Sequence, residues 1–218
     1  MPYTTTNRGL HEFLAHRVLV PYTRQGVQAV DLGTGPGAMA ARLSAMGCDV
    51  LAADRDAHGF EAKVPHVTVD FDQPDFASQL GPGSFGLITA IEVIEHVESP
   101  IGFLRNVRNL LTVGGVAVLT TPNVDSLPAR TKFLLRGKIR TMDEQSEPTH
   151  ISPIFLDLLR RQFLPRVGLR LREHLLFPPN GYQLTRKPLA GAFRLASIFF
   201  SGRALLGDNH IFVLEISS

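Results

Sequence analysis

The sequence predicts an α/β protein in which a doubly wound, mostly parallel sheet lies between two layers of helices. Short apolar segments alternate with segments of helical spacing through the first 125 residues. The apolar segments are nearly continuous rather than alternating, as expected when helices cover both faces of a sheet. Glycine and proline residues separate many of the segments, which is typical of the ends of strands and helices.

The first half of the chain is predicted to contain three helices and five strands. A helix over residues 8–20 has apolar residues at helical spacing and ends before Pro21. A second helix covers residues 36–47, and a third, capped by Ser99, covers residues 99–115. The strands are expected at residues 27–33, 49–54, 66–72, 84–92 and 116–123.

The alternation of strands and helices becomes irregular after residue 123. Helices are predicted over residues 128–140, 153–164 and 188–206, because their apolar residues recur with a helical period. Strands are predicted at residues 169–177 and 210–216. The length fits one domain over residues 1–218. We expect residues 25–125 to form a ligand-binding core, and residues 125–210 to supply a lid and the last strands.

The charges are distributed unequally along the chain. Residues 1–125 contain 8 basic and 13 acidic residues, whereas residues 126–218 contain 14 basic and 7 acidic residues. The basic half could meet an anionic small molecule, a lipid surface or a nucleic acid, or it could simply be a solvated face. Aromatic residues are not spaced among the basic ones, which argues against a platform for single-stranded nucleic acid.

Several features predict a cytoplasmic protein. Cys48 is the only cysteine, so no internal disulfide can form. The N-terminus lacks the basic and apolar regions of a signal peptide, and no apolar stretch reaches the roughly 20 residues that span a bilayer.

A glycine-rich segment, VDLGTGPGAM, lies between the first strand and the second helix. Its Gly33, Gly35 and Gly37 would let the backbone approach a ligand closely, and the loop leads into a helix N-terminus whose N–H groups are unpaired. Asp54 ends the next strand, 23 residues after Asp31, where a carboxylate can accept hydrogen bonds from both hydroxyls of a ribose. Together these features predict a nucleotide-type ligand.

The glycine spacing bears on which nucleotide binds. A nicotinamide dinucleotide favours the pattern G-x-G-x-x-G, but Ala38 occupies the third of these positions. Asp31 lies just before the loop, where a carboxylate would face a pyrophosphate unfavourably and could attract an ammonium group. A nicotinamide-dependent oxidoreductase is therefore an alternative that the spacing disfavours.

Five segments, in this order, carry a resemblance to a known family: VDLGTGPG, AAD, VDFD, EVIEHV and GGVAVLTTPN. They resemble the class I S-adenosylmethionine-dependent methyltransferases, in particular the branch of ubiquinone-biosynthesis O-methyltransferases and of methyltransferases from glycan and lipid gene clusters. The resemblance covers residues 25–125 well and the later residues in outline. It implies a Rossmann-like sheet of seven strands whose last strand runs antiparallel.

The resemblance also implies S-adenosylmethionine as the cofactor. Asp31 would serve its amino group, and Asp54 would bind its ribose. Asp70 would lie near the amino group of the adenine, and Phe71 on the adenine face. The cofactor-binding residues are then expected to be Asp31, Gly33, Gly35, Gly37, Asp54, Asp70, Phe71, Ala90, Ile91 and Glu92.

Three ionisable residues stand at the end of the fourth strand, in the run EVIEHV. If residues 92–96 turn helically, Glu92, Glu95 and His96 lie on one face of the turn. Two carboxylates and an imidazole suit Mg²⁺ or another divalent metal. Relatives with a similar E-x-x-E-H run use it to hold a metal, and the resemblance implies a further, later histidine, for which His150 is the candidate.

Two other interpretations of this run are open. Methyl transfer needs a base for the acceptor proton, and His96 could act as that base beside the cofactor-facing Glu92. Alternatively, Glu95 and His96 cap the following loop.

Two basic or amphipathic segments suggest contacts with the acceptor or a membrane. Residues 129–140 contain five basic residues, which would suit an anionic acceptor or form a solvated face. The helix over residues 188–206 either packs on the sheet or rests on a membrane surface.

The sequence thus predicts an S-adenosylmethionine-dependent methyltransferase acting on an oxygen of a small-molecule, glycan or lipid-linked acceptor. An RNA 2′-O-methyltransferase and a non-catalytic cofactor-binding subunit are the further alternatives.

Overall fold

A computed structural model describes residues 6–144, 148–199 and 204–217 of the chain. Within these residues one sheet contains seven strands: β1 (Gln28–Leu32), β2 (Asp49–Asp54), β3 (His66–Thr68), β4 (Phe85–Ile91), β5 (Leu111–Pro122), β6 (Leu169–Phe177) and β7 (Asn209–Ile216). Their order is β3-β2-β1-β4-β5-β7-β6. β7 is antiparallel to both β5 and β6, and the other neighbouring strands are parallel. The predicted seven-stranded sheet with an antiparallel last strand is confirmed.

Helices cover both faces of the sheet. The α-helices are α1 (Leu10–Phe13), α2 (Ala38–Ala45), α3 (Ala77–Leu80), α4 (Pro100–Leu110), α5 (Leu127–Arg136), α6 (Leu156–Leu158), α7 (Leu164–Val167) and α8 (Lys187–Ala196). A π-helical turn, Leu14–Val18, continues α1, and another, Leu159–Phe163, joins α6 to α7. One core packs α1 and α2 on the sheet, and a second core packs α3, α4 and α7 on the other face. This is the predicted three-layer arrangement.

Local chemistry fixes the ends of the longer helices. The Ser99 hydroxyl accepts a hydrogen bond from Gly102 N at 3.1 Å and caps α4, as the sequence predicts. Ser126 caps α5 in the same way, and Gly137, with a φ of 64°, ends it. α5 therefore begins at Leu127, shortly after β5 ends at Pro122.

Two predicted elements differ from the structure in the first half of the chain. The helix expected over residues 99–115 ends at Leu110, because Leu111 pairs with Phe85 of β4 and begins β5. The strand expected over residues 66–72 ends at Thr68. There the Asp70 carboxylate accepts the Asp72 amide at 3.2 Å, which turns the chain out of the sheet.

The helix predicted over residues 188–206 is shorter than expected and does not pack where it was expected. It comprises α8 and a 3-10 turn over Ser197–Phe199, while residues 200–203 lie outside the described part. Residues 204–206 are not helical. α8 has no buried residue, so its expected packing on the sheet is wrong. The spacing of apolar residues predicted that this helix is amphipathic, but not where it lies on the protein.

The sheet brings the ends of several strands to one edge. Leu32 of β1 is in register with Ala53 of β2 and with Ala90 of β4. The strand order reverses between β1 and β4, and ligands of open α/β sheets bind beyond the carboxyl ends of the strands at such a point. None of the helices in the described part of the chain has the length and apolarity needed to cross a bilayer.

Candidate active site

The glycine loop after β1 needs glycine at two positions for steric reasons. A Cβ on Gly33, whose φ is 70°, would lie 2.3 Å from Val93 Cγ2. A Cβ on Gly37, whose φ is 91°, would lie 2.5 Å from Ala62 Cβ. At Gly35, with a φ of 50°, a Cβ would meet no atom within 4 Å. The inner side of the loop is thus packed against the protein, and Gly35 faces open space where a ligand could approach.

Asp31 is buried beneath this loop. Its carboxylate oxygens accept hydrogen bonds from Thr34 Oγ1 at 2.8 Å and from Thr89 Oγ1 at 2.7 Å. Burial raises the pKa of Asp31 to about 6, although these hydroxyl donors oppose the shift. A neighbouring ammonium group would stabilise the charged form, so the arrangement fits the role predicted for Asp31.

Asp54 holds the opposite side of the loop. Its Oδ2 accepts the Gly35 amide at 2.7 Å, and its Oδ1 accepts the Arg55 amide at 2.7 Å. Asp54 lines a cleft of about 360 Å³. This glycine-loop cleft is lined by Gly33, Asp54, Arg55, Asp56, Phe71, Glu92, Val93, His96, Val97 and Thr149. The prediction that Gly33, Asp54, Phe71 and Glu92 converge is therefore supported by their positions.

The two residues predicted to flank an adenine differ in their surroundings. Phe71 lines the glycine-loop cleft, and its ring packs edge-on against Phe76 with centroids 5.2 Å apart. Asp70 is paired with Arg55 at 3.3 Å. The hydrogen bond from the Asp72 amide is the main cause that lowers the pKa of Asp70. Arg55, which the sequence analysis did not single out, thus connects Asp70 to the cleft.

The end of β4 has an unusual backbone conformation. Ala90 is fully buried and Ile91 is 7% exposed. Glu92 has a φ of 55°, a left-handed conformation that costs a residue with a Cβ roughly 1–2 kcal/mol. Its amide donates to Thr120 O at 3.2 Å, which holds the turn in place. Residues in such conformations cluster at functional sites.

This conformation overturns the predicted helical turn over residues 92–96. Because Glu92 is left-handed, the turn begins one residue later, and the His96 amide donates to Val93 O at 2.9 Å. Glu92 points towards Asn209, whose Nδ2 donates to Glu92 Oε1 at 2.6 Å. Burial raises the pKa of Glu92. Glu92 therefore does not belong to the cluster that Glu95 forms with His96 and His150.

Glu95 forms a cluster with His96 and His150, in which one ligand atom from each residue lies within 4.8 Å of the others. Glu95 is fully buried, and neither carboxylate oxygen has a hydrogen-bond partner among the described residues. Burial, reinforced by the negative charge of Glu92, raises the pKa of Glu95 well above its ordinary value, although the nearby Thr121 hydroxyl opposes the shift. The structure therefore brings together three of the four residues predicted to hold a metal, without Glu92.

The two histidine rings are oriented by backbone carbonyl groups. His96 Nδ1 lies 3.1 Å from Thr149 O, and His150 Nδ1 lies 2.8 Å from Thr141 O. The ring centroids are 4.6 Å apart and the planes nearly perpendicular. A carbonyl oxygen only accepts hydrogen bonds, so in the neutral rings Nδ1 carries the proton and Nε2 has the lone pair.

Backbone contacts fasten this cluster to the segment that follows α5. Glu95 O accepts hydrogen bonds from the amides of Ile151 and Ser152, both at 2.9 Å. The Ser152 hydroxyl donates to Val97 O at 2.7 Å. The position of His150 is therefore set by contacts with residues more than fifty positions away, which the sequence pattern does not reveal.

A second cavity, of about 380 Å³, adjoins the glycine-loop cleft. This histidine cavity is lined by Thr6, Asn7, Gly33, Ile91, Glu92, His96, Pro122, Thr141, Thr149, His150, Leu184, Asp208 and Asn209. Asp208 and Asn209 were missed by the sequence analysis. The polar run GDNH at the start of the last apolar segment could have drawn attention to them, although it does not reveal which residues they contact.

An ion pair closes one side of the histidine cavity. Arg140 NH1 lies 3.2 Å from Asp208 Oδ1, and the Asp208 side chain is fully buried. Asp208 Oδ2 also accepts the amides of Gln183 and Leu184. Arg140 further donates to Thr185 Oγ1 at 3.1 Å. The segment after α5 is thus tied to the residues that precede α8 and β7.

The basic run over residues 129–140 is largely paired. Lys132 pairs with Asp143, and Lys138 pairs with Glu144. With Arg140 bound to Asp208, much of the positive charge is neutralised locally. The expectation of a strongly cationic acceptor surface therefore receives little support.

Sequence similarity to known proteins extends over most of this chain. A family model described as a methyltransferase domain matches residues 6–174. The ubiquinone biosynthesis O-methyltransferase of Roseobacter denitrificans is 31% identical over 192 residues, which cover 82% of this chain and 75% of that protein. The protein of the same name from Cereibacter sphaeroides is 29% identical over 192 residues, with coverages of 82% and 76%.

A solved structure agrees with the fold. The S-adenosylmethionine-dependent methyltransferase from Archaeoglobus fulgidus superposes with a TM-score of 0.67 over 96% of both chains, at 17% identity. At this identity the likeness supports the fold alone.

Proposed function

Because the chain belongs to the S-adenosylmethionine-dependent methyltransferases, we propose that it methylates an oxygen atom of a small-molecule acceptor. The observation that carries the proposal is that the glycine-loop cleft and the histidine cavity share four lining residues: Gly33, Glu92, His96 and Thr149. A cofactor in the cleft and an acceptor in the cavity would meet there. Methyl transfer depends chiefly on aligning the two partners. The names of the relatives support oxygen as the acceptor atom.

The cofactor would lie along the carboxyl edge of β1, β2 and β4. Asp31 would face the ammonium group of the methionine part, and Asp54 the ribose. Phe71 would contact the adenine, with Asp70 near its amino group. The full set proposed to surround the cofactor is Asp31, Gly33, Gly35, Gly37, Asp54, Asp70, Phe71, Ala90, Ile91 and Glu92.

The transfer itself needs a group that takes a proton. The acceptor oxygen attacks the methyl carbon, the bond from that carbon to the sulfonium sulfur breaks, and sulfur keeps the electron pair. His96, which lines both cavities, is the proposed base for the acceptor proton. Glu92, fixed by Asn209, is the proposed catalytic carboxylate that orients the acceptor.

As the alternative to a role for His96 as the base, we propose that Glu95, His96 and His150 bind a divalent metal. The two unpaired oxygens of the buried Glu95 support this, because a cation would stabilise a carboxylate that is otherwise costly to ionise. Two imidazoles with one carboxylate favour a transition metal over Mg²⁺. A bound metal would act as a Lewis acid that lowers the pKa of an acceptor hydroxyl. In this alternative His96 is a ligand and not the base.

The acceptor class is tested with methyl-labelled S-adenosylmethionine. We expect label in phenol or hydroquinone acceptors, and in the organic phase of a cell extract. Label in soluble glycans would instead favour a sugar acceptor, and label in RNA the nucleic-acid alternative. Tight binding of S-adenosylhomocysteine without transfer to any fraction would contradict the proposed O-methylation and favour a non-catalytic subunit.

The metal is tested by elemental analysis of the purified protein and by transfer assays with a chelator. We expect one divalent ion per chain, bound by the wild type and by the exposed control His58→Gln, and lost in Glu95→Gln and His150→Gln. Metal-free protein that transfers methyl groups at the full rate would refute the metal and leave His96 as the base.

The exposed apolar residues of α8 suggest a contact with lipid. α8 exposes Leu189, Leu195 and, just beyond its end, Ile198 beside Lys187 and Arg194. Apolar residues flanked by cations are typical of helices that lie on a bilayer. We propose that residues 188–206, so far as they are described, touch a membrane peripherally. Cosedimentation with anionic vesicles should fall in a Leu189→Ser, Leu195→Ser variant, and unchanged binding would contradict the contact.

A further inference from the structure

A small cavity of about 40 Å³ lies between the glycine loop and the N-terminal segment. Its walls include Asp31, Gly33 and Gly35, and also Thr6 and His11. This Asp31 cavity is large enough for little more than a carboxylate group or a water molecule. It is therefore a place where one small polar group of a ligand would fit.

Two side chains reach the Asp31 cavity without partners. His11 is 7% exposed, and neither ring nitrogen has a hydrogen-bond partner among residues 6–144, 148–199 and 204–217. The hydroxyl of Thr6 is buried and unpaired in the same sense. Buried polar groups in proteins are almost always hydrogen-bonded, so two such groups on one cavity require an explanation.

The charge state of His11 is set by its surroundings. Burial, together with the positive charge of Arg42, lowers the pKa of His11 to about 4, while Glu12 opposes the shift. The ring is therefore neutral at physiological pH and has one N–H group. His11 thus offers a hydrogen-bond donor to the cavity.

The amide groups of the glycine loop already have partners inside the protein. Those of Gly33 and Thr34 donate to Ala53 O, at 2.8 and 3.3 Å. The Gly35 amide donates to Asp54 at 2.7 Å, and the Gly37 amide donates to Thr34 O at 2.9 Å. Pro36 has no amide hydrogen. The loop amides that commonly bind anionic ligands are thus engaged.

We propose that His11, assisted by the hydroxyl of Thr6, binds the carboxylate group of the methionine part of S-adenosylmethionine. The inference rests on the proposed function, in which that part of the cofactor lies beside Asp31. Asp31 would face the ammonium group, and His11 and Thr6 would donate to the carboxylate next to it. Each charged group of the amino acid would then have a partner of suitable chemistry.

The experiment compares two ligands that differ only in this carboxylate. Dissociation constants are measured for S-adenosylmethionine and for decarboxylated S-adenosylmethionine, which keeps the sulfonium and the ammonium group. For His11→Ala we expect binding of S-adenosylmethionine to weaken about 10- to 100-fold, because a hydrogen bond to a charged group is lost. Binding of the decarboxylated ligand should change by less than about twofold.

His16→Ala is the matched control, since His16 lies on the same helical segment and is exposed. It should bind both ligands as the wild type does. His11→Gln retains an N–H donor and should recover part of the affinity for S-adenosylmethionine that His11→Ala loses. 5′-Methylthioadenosine, which lacks the whole amino acid, reports the fraction of each variant that is folded.

An equal loss of affinity for both ligands in His11→Ala would overturn the proposal and make His11 a packing residue. Unchanged affinity for S-adenosylmethionine would overturn it as well. The measurement needs no acceptor, so the outcome is independent of whether the proposed O-methylation is correct.

Discussion

The glycine-loop cleft, here the cofactor side, and the histidine cavity, here the acceptor side, are held together by contacts that span different distances along the sequence. On the cofactor side, Thr34 bonds Asp31 three residues away, and Gly35 bonds Asp54 nineteen residues away. On the acceptor side, Asn209 bonds Glu92 across 117 residues. Most contacts of the first side lie within one strand–loop–helix–strand unit, to which Thr89 of β4 adds a hydrogen bond to Asp31. The second side joins distant parts of the chain.

In the proposed function, the first side binds the cofactor and the second selects the acceptor. The compact unit can fold into the same loop in many proteins, because its geometry depends on few residues. The acceptor side depends on several tertiary contacts, so its shape can change without altering the sheet. Substitutions on the two sides should therefore affect cofactor binding and acceptor use separately.

The largest effect is expected from Gly33→Ala, which breaks the cofactor side. The new Cβ would lie 2.3 Å from Val93 Cγ2 at a φ of 70°, so both the side chain and the backbone are strained. We expect a loss of about 3–5 kcal/mol of unfolding free energy. Calorimetric titration should detect no binding of S-adenosylhomocysteine.

Gly26→Ala isolates the backbone contribution. Gly26 has a φ of 78°, and a Cβ there would meet nothing within 4 Å. It should cost only about 1–2 kcal/mol and leave the affinity for S-adenosylhomocysteine unchanged. Equal effects of the two substitutions would show that the contact with Val93 is unimportant.

The same difference explains which parts of the fold could be predicted. The seven strands and the antiparallel β7 follow from apolar runs and the family resemblance, and they are confirmed. The helix predicted to reach residue 115 ends at Leu110, because pairing of Leu111 with Phe85 outweighs local helical preference. α8 was expected on the sheet, but amphipathic spacing does not specify the surface against which a helix packs.

The candidate site shows the same limit. Gly33, Asp54 and Glu92 meet at one edge of the sheet, because each lies at or just after the carboxyl end of a parallel strand. The polar run at Asp208 and Asn209 could not be assigned to the site, because the hydrogen bond from Asn209 to Glu92 depends on the antiparallel pairing of β7. The left-handed backbone of Glu92 directs its side chain away from the cluster of Glu95, His96 and His150, which residue spacing alone cannot predict.

An intermediate effect is expected from Arg140→Met, which breaks the acceptor side. It leaves the buried Asp208 carboxylate without its cation, at a cost of about 3 kcal/mol, because two amides still donate to Asp208. Because Arg140 lies outside the glycine-loop cleft, the dissociation constant of S-adenosylhomocysteine should stay within about twofold. We expect kcat/KM for the acceptor to fall about tenfold or more.

Arg136→Met is the matched control, since Arg136 is exposed at the end of α5. It should change neither stability nor kcat/KM. Adding Asp208→Asn to Arg140→Met removes the unpaired charge and should restore part of the stability. A parallel loss of cofactor affinity in Arg140→Met would show that the two sides are not independent.

The smallest effect concerns three neighbouring polar side chains, His174, His210 and Asp125, of which His210 is fully buried. His174 Nε2 lies 3.0 Å from His210 Nδ1, and His210 Nε2 lies 3.5 Å from an oxygen of Asp125. Burial is the main cause that lowers the pKa of His174 to about 4, with a contribution from His210 and an opposing one from Asp125. The folded protein therefore binds a proton at His174 less readily than the unfolded chain, whose histidine has a pKa of about 6.5.

It follows that protonation of His174 favours unfolding. The stability associated with the neutral ring is present above pH 6.5 and is lost as the pH falls from 6.5 towards 4. His174→Gln removes this titration and should reduce the loss over that range by about 1–2 kcal/mol, since the ring is only partly buried. Denaturant unfolding at pH 7 and pH 4.5 measures the difference, with the exposed His58→Gln as the control. Identical pH dependence in wild type and His174→Gln would mean that the acid sensitivity of the acceptor side arises elsewhere.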